Sequence, residues 1–337
     1  MKKFKLAIVG TDSLRSKEIK SILGQERIPV EKIDFFDPDV KGEYSKLTQF
    51  RGEAKVVHHL ESDFLHEADL VFLAADKEVN REVGALAKKK KFQAIDLSEA
   101  FNAEEGIPVV VAGVNDGIIL KKRPPLIANP HPVTVILSHL FHSVIQKFGL
   151  LKAVAFILQP ASAFENAGIS ELIDQSLALL NSSTMSKKVF REQVAFNLLS
   201  HTEEPEKDGF SPAEKQIVKE IKRVLRDGEF PLSLSLIQAP VFHTYSIMTF
   251  LETKKKTNLQ GLKDLFKEST FFKLYPPSIS CPVSSVSVAG KKKICVGQIK
   301  KEESFPNSFW IWTVADNLTR GSALNAFEIA KKIISAG

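Results

Sequence analysis

The sequence predicts an α/β protein of two domains, a parallel sheet wound by helices followed by an α+β unit. Three observations carry the prediction. At 337 residues the chain is longer than one ordinary core organises. Up to about residue 130, short apolar runs ending at Gly, Asp or Asn alternate with segments of helical period. Beyond that point come long helices, then stretches in which apolar and polar residues alternate as in antiparallel strands.

The elements follow in order. "KLAIVG" (5–10) is a buried strand ending at Gly10, and "SLRSKEIKSILG" (13–24) is a helix with Gly24 as its stop. "EKIDFFDPD" (31–39) is a strand ending in acid, and "DLVFLAAD" (69–76) is a third strand. The helix "NREVGALAKKKKF" (80–92) and the strands "QAIDLS" (93–98), "IPVVVAGVN" (107–115) and "PPLIANP" (124–130) complete the first half. This alternation implies right-handed crossovers and a dinucleotide-binding type of sheet. "TVILSHLFHSVIQKFG" (134–149) is a helix with Val135, Leu137, Leu140, Val144 and Phe148 at helical spacing. "KAVAFILQP" (152–160) is strand-like and "SELIDQSLALL" (170–180) helical. "SPAEKQIVKEIKRVL" (211–225) is a helix opened by a Ser211/Glu214 capping box, and the polar stretch before it, 197–210, is a surface loop. Residues 232–253 and 291–301 alternate as antiparallel strands, and 319–336 is an amphipathic helix.

Composition narrows the function classes. The net charge is +6, but the basic runs 88–91, 121–123, 254–256 and 291–293 are scattered and no aromatic ladder accompanies them. They read as solvated faces, so nucleic acid is not an expected partner. The two cysteines, Cys281 and Cys295, stand fourteen apart with no neighbouring His at ligand spacing. No metal is expected, and buried thiols in a reducing cytoplasm are. No apolar stretch has the length to span a membrane.

Several strings resemble the aspartate-semialdehyde dehydrogenase family. The strongest is "FWIWTVADNLTRGSALNAFEIA" (309–330), joined by "AIDLSEAFN", "VVVAGVN", "IANP", "LQPASAFENAGISEL", "APVFHTYSIMTFLE" and "SFPNSF" in the family's order. The resemblance implies a Rossmann-like NAD(P)-binding-type domain over 1–130 plus the C-terminal helix 317–337. It also implies an α+β dimerisation domain over 131–316, a homodimer, and reductive dephosphorylation of an acyl phosphate by a thiolate, an acid/base His and a nicotinamide.

Carried over residue by residue, that chemistry is missing. In the family's Asn-Pro-Asn-Cys turn this chain has Asn129, Pro130, His131 and Pro132, and proline offers no nucleophile. Tyr245 stands where the acid/base His does, after Thr244 in place of a Gly, and a phenol of ordinary pKa near ~10 is a poor base. Gln238 replaces the carboxylate-binding Arg, Asn102 the phosphate-binding Arg, and Gln216 a Lys, while Gln159 and Glu214 are retained. His131 and His243 are the stand-ins, the latter expected to share a strand face with Tyr245. Of the Gly-x-x-Gly-x-x-Gly loop only Gly10 remains, followed by Thr11 and Asp12, with Ser13 and Ser16 at the other two glycine positions. Asp37 and Asp39 after the second strand disfavour NADP and at best suit NAD, and Ser98 and Asn317 persist as cofactor contacts. The resulting expectation is a pseudoenzyme of this fold, cytoplasmic and dimeric, with an interaction or regulatory role that includes pairing with an active paralogue. The alternatives are an NAD-dependent oxidoreductase with rewired chemistry and a small-molecule sensor.

Overall fold

A computed structural model describes residues 3–26, 28–41, 46–61, 65–90, 92–226, 229–276 and 282–336. The chain divides into two compact units, residues 1–131 with 322–337, and residues 132–321.

The first unit runs β1 (Phe4–Val9), α1 (Leu14–Gln25), β2 (Val30–Asp37), β3 (Leu47–Phe50), β4 (Glu53–His59), β5 (Leu70–Leu73), α2 (Lys77–Lys90), β6 (Gln93–Asp96), α3 (Gly117–Lys122) and β7 (Leu126–Ala128). Its seven strands lie in the order β3-β4-β2-β1-β5-β6-β7, parallel except for the β3–β4 hairpin. β1, β5 and β6 are buried almost throughout, as central strands covered on both faces must be.

The second unit runs α4 (Pro132–Phe148), β8 (Leu150–Gln159), α5 (Glu165–Leu180), α6 (Pro212–Val224), β9 (Leu232–Gln238), β10 (Tyr245–Thr253), α7 (Leu259–Glu268), β11 (Phe272–Leu274), α8 (Ser285–Val288), β12 (Ile294–Lys301) and β13 (Ser308–Ala315). Its sheet order is β11-β12-β13-β10-β8-β9. The apolar α4 is buried on nearly all sides through its first three turns and packs on α6, α7, β8 and β10. A π-helical turn, Thr319–Ala323, leads into α9 (Leu324–Ala336). α9 packs on α1 and α3 and lends Phe327, Ile329 and Ile333 to the first unit's core.

Several expectations are corrected. Gly24 lies inside α1, whose C-cap is Glu26. Residues 107–115 form no strand beyond one bridge, Val109 to Ala128, because a turn begins at Ala112, with the Val114 and Asn115 amides both on the Val111 carbonyl. β9 and β10 do not pair with each other. β9 runs parallel to β8 at the sheet edge, and β10 inserts antiparallel between β8 and β13. The hairpin β3–β4 and helix α7 carried signals too short or too polar for the sequence reading. The Ser211/Glu214 capping box forms as predicted, and Cys281 lies outside the described residues.

Candidate functional site

In the second unit three strand ends bring three site residues together. Gln159 and Gln238 end the parallel neighbours β8 and β9 in direct register, and Tyr245 begins β10 beside β8. The Tyr245 hydroxyl donates to Gln159 Oε1 (3.2 Å), and Gln159 Nε2 donates to Gln238 Oε1 (3.1 Å). Gln238 Nε2 then donates to the carbonyls of Gln159 (3.1 Å) and Ala239 (3.0 Å). All three side chains are buried. The chain of bonds is uncharged and fixes both amide orientations, which makes it a satisfied buried network. The backbone of Gln238 is also spoken for, through two bonds with Leu199 that close the outer edge of β9.

The residues around it are engaged elsewhere. Thr244 sits at φ +76°, a region costly for a β-branched residue, and its amide donates to Asn317 Oδ1 (3.0 Å). Asn317 also exchanges a bond with the Ser162 hydroxyl, so this expected cofactor contact serves the turn before β10. The Thr244 hydroxyl and His243 Nδ1 are buried with no hydrogen-bond partner. His243 lies before β10, which starts at Tyr245, and the left-handed Thr244 stands between them, so the strand geometry behind the shared face expected of His243 and Tyr245 is not present. Glu214 spends Oε2 on the Ser211 amide and Oε1 on the Leu236 amide. Gln216 donates to the buried Glu220, which also accepts from Thr134 in the first turn of α4. Pro132 opens that turn, where a fixed φ and a missing N–H cost nothing. Gly321 lies against it, and a Cβ there would stand 2.7 Å from the Pro132 ring. Asn129 and partly exposed His131 end the first unit. The Asn129 side chain accepts from Asn325 of α9 (2.8 Å), a link internal to the first unit.

The first unit carries the turn between β1 and α1. Gly10 has φ +85°, and a Cβ on it would come within 2.4 Å of the Ala75 amide nitrogen, so packing alone demands glycine. Thr11 donates through both N–H (3.1 Å) and hydroxyl (3.0 Å) to Asp37 Oδ2. Lys46, which sequence reasoning missed, bridges that same oxygen (2.8 Å) and Asp12 Oδ2 (2.7 Å). Burial pushes Asp37 up, but the Lys46 and Thr11 donors outweigh it and hold the carboxyl below its usual range. Burial likewise pulls Lys46 down, and its bonds to Asp12 and Asp37 leave it raised. Lys20 is buried with Nζ on the Thr11 carbonyl (2.9 Å), and desolvation lowers its pKa. Ser13 caps α1 and donates to the Ala74 carbonyl, and Arg15 reaches the Leu97 carbonyl at the end of β6 (3.0 Å). Ser98 binds Asp96 through amide and hydroxyl, and Asn102 is buried in the turn beyond.

These donors fit an adenine dinucleotide in part. The glycine approach to a pyrophosphate is gone at Ser13 and Ser16, but cations stand at the carboxyl ends of the strands. Asp37 Oδ2 has three donors already, while Oδ1 accepts from the Asp39 amide at 3.4 Å. Lys46 sets one positive charge against the two acids Asp12 and Asp37, a partner that the reading of Asp37 against NADP did not include. Among the described residues no group of three or more His, Cys, Asp or Glu could hold a metal ion, and no helix is long and apolar enough to cross a membrane.

Residues 142–320 match the family described as semialdehyde dehydrogenase, dimerisation domain, and residues 5–121 match semialdehyde dehydrogenase, NAD binding domain. The chain belongs to the semialdehyde dehydrogenase family. Within this family it is 25% identical over 335 residues to an aspartate-semialdehyde dehydrogenase of Rickettsia bellii, covering 99% of this chain and 98% of that protein. An aspartate-semialdehyde dehydrogenase of Aquifex aeolicus is 25% identical over 339 residues, covering 99% of both. The fold is similar to that of aspartate semialdehyde dehydrogenase II from Vibrio cholerae complexed with ASA, with a TM-score of 0.93, 23% identity and 99% of each chain covered. The Candida albicans aspartate semialdehyde dehydrogenase with NADP gives a TM-score of 0.74 at 15% identity, with 100% of each chain covered. The semialdehyde dehydrogenase fold, with an NAD(P)-binding-type domain, is therefore shared over the whole length.

Proposed function

We propose that this chain is a non-catalytic member of the semialdehyde dehydrogenase family that acts as a dimeric interaction or regulatory protein, its partner a second copy or an active relative. The observation that carries the reading is the Tyr245–Gln159–Gln238 network. Where the family's resemblance asks for an ionisable base and a cationic clamp, this chain holds three neutral side chains bonded to one another. Pro132, at the position of the nucleophile, has a complete structural explanation as a helix opener. Gln216, neutral where the resemblance asks for a Lys, is bonded to Glu220 of its own helix.

The dimer rests on the dimerisation-domain match and on one face of the second sheet. Phe156, Met248 and Trp312 stand directly opposite one another on β8, β10 and β13, and Val154, Phe250 and Trp310 form the next row. Phe156 remains 45% exposed and Phe305, stacked edge-on to Phe250, 53%. An apolar face of this kind marks an association surface. The buried free thiol of Cys295 suits a reducing cytoplasm.

Incubation with an acyl phosphate and with its semialdehyde, followed by intact-mass measurement, tests the chemistry. The unmodified mass is expected, and a stoichiometric adduct on His131, His243 or Tyr245 would contradict the proposal. Light scattering tests the assembly. A dimer is expected for the chain and a monomer for Phe156→Lys.

A further inference from the structure

Strands β2 and β4 diverge. Their parallel ladder covers only Phe35–Asp37 against Val57–His59, so the first five residues of β2 and the first four of β4 face each other outside it. A cavity of about 500 Å³ lies there. Val30 through Phe35 line it one after another, with Phe50, Arg51, Glu53, Lys55 and Val56 from the hairpin. Consecutive strand residues point to opposite faces, so an unbroken run of lining residues marks a cleft through the sheet and not a hollow on one face. The cleft is built in. Arg51, at the hairpin turn, donates to the Leu23 carbonyl of α1 (3.1 Å), and Lys20 of α1 donates to the Thr48 hydroxyl of β3 (2.6 Å). Both bonds tie the hairpin to the helix and not to β2. Glu31 and Asp34 lie six and three residues before Asp37, which puts the cleft about 10–20 Å along the strand from the turn that follows β1.

We propose that this cleft binds an apolar α-amino acid as its zwitterion, at a site separate from the dinucleotide-type crevice. Its volume lies within the range of about 300–1,000 Å³ usual for small-molecule sites. Its depth is apolar. Phe35 and Phe50 meet there at 5.6 Å and 55°, beside Ile33 and Val56, and an aromatic or branched side chain finds ring edges to pack on. Its mouth carries both signs of charge. Arg51 is exposed, with one guanidinium nitrogen on Leu23 and the group 5.3 Å from the Phe50 ring, and its planar fork suits the carboxylate. Asp34 takes the ammonium. Its present partner Lys32 (3.0 Å) is well exposed, so a ligand exchanges that pair at little cost. A ligand with one charge of each sign matches this mouth, and a singly charged one leaves Asp34 or Arg51 without its counterpart. The site lies wholly in the first unit, so it stands whether or not the second unit turns over any substrate.

Calorimetric titration of the full chain with L-phenylalanine and L-leucine tests it, and hydrogen–deuterium exchange locates the site. One molecule per chain is expected, with a Kd on the order of 0.1 mM for phenylalanine. Phenylalaninamide and N-acetylphenylalanine each lack one charge and should bind at least about tenfold more weakly. Asp34→Asn should weaken phenylalanine about tenfold and leave N-acetylphenylalanine unchanged, a split that a merely structural role for Asp34 would not give. Exchange should slow along residues 30–34 and 53–56 when phenylalanine is added. No saturable binding by either amino acid, derivatives that bind as well as phenylalanine, or slowed exchange only outside these two strands would each overturn the proposal. So would binding confined to an extended apolar peptide blocked at both ends, which would make the cleft a place for an added strand. Should Asp34→Asn fail to fold, the two derivatives and the exchange pattern still decide.

Discussion

Thr244 is the residue whose identity fits its backbone least. A threonine at φ +76° stores strain and buries an unpartnered hydroxyl, so Thr244→Gly should stabilise the protein by about 1 kcal/mol in urea unfolding. Tyr245→Phe should do the reverse. It strands Gln159 Oε1 in a dry site and should cost about 1–3 kcal/mol, with a coupling to Gln238→Leu well above measurement error in a double-mutant cycle. A third residue sets the acid limb of stability. His139 on α4 is buried, stacked on Phe271, and held well below its ordinary pKa, first by desolvation and then by Arg320. The unfolded chain takes up a proton near pH ~6.5 that the folded chain refuses. Stability should therefore be flat above that pH and fall below it, and His139→Phe should flatten the fall. At this scale the sequence made the substitutions legible. Pro132, Gln238 and Tyr245 were readable as changes, but that two amides and a phenol satisfy one another was a matter of strand register. Lys46 carried no signal, because its meaning depends on a hairpin placing it over Asp37.

Among the elements, those with a strong period were readable and those defined by pairing were not. The α4 stripe, the capping box of α6 and the buried runs of β1, β5 and β6 follow from local pattern. The parallel course of β9 and the central place of β10 do not, since alternation specifies a half-buried strand and not its neighbour. The hairpin β3–β4 turns through Arg51 and Gly52, both at positive φ, a signal that a charged segment obscured. At α6, Glu214 joins cap and sheet by accepting from both Ser211 and Leu236. Glu214→Ala should cost about 2 kcal/mol, more than the roughly 1 kcal/mol of an isolated cap, as read by thermal unfolding.

For the molecule as a whole, family and architecture were legible because strings in a fixed order span nearly its full length, and both family matches agree. What was not legible is how the positions proposed to have lost their catalytic groups stay folded. The structure answers with neutral, mutually bonded side chains in the second unit and a bridged acid pair in the first. The measurement that tests this account most directly is NADP reduction with aspartate semialdehyde and phosphate, followed by absorbance. The account predicts a rate no higher than buffer, for the natural chain and equally for a Pro132→Cys, Tyr245→His double variant, because Gln238 and Asn102 still offer no cationic hold on the substrate. A rate proportional to the natural protein and abolished by Tyr245→Phe would contradict it.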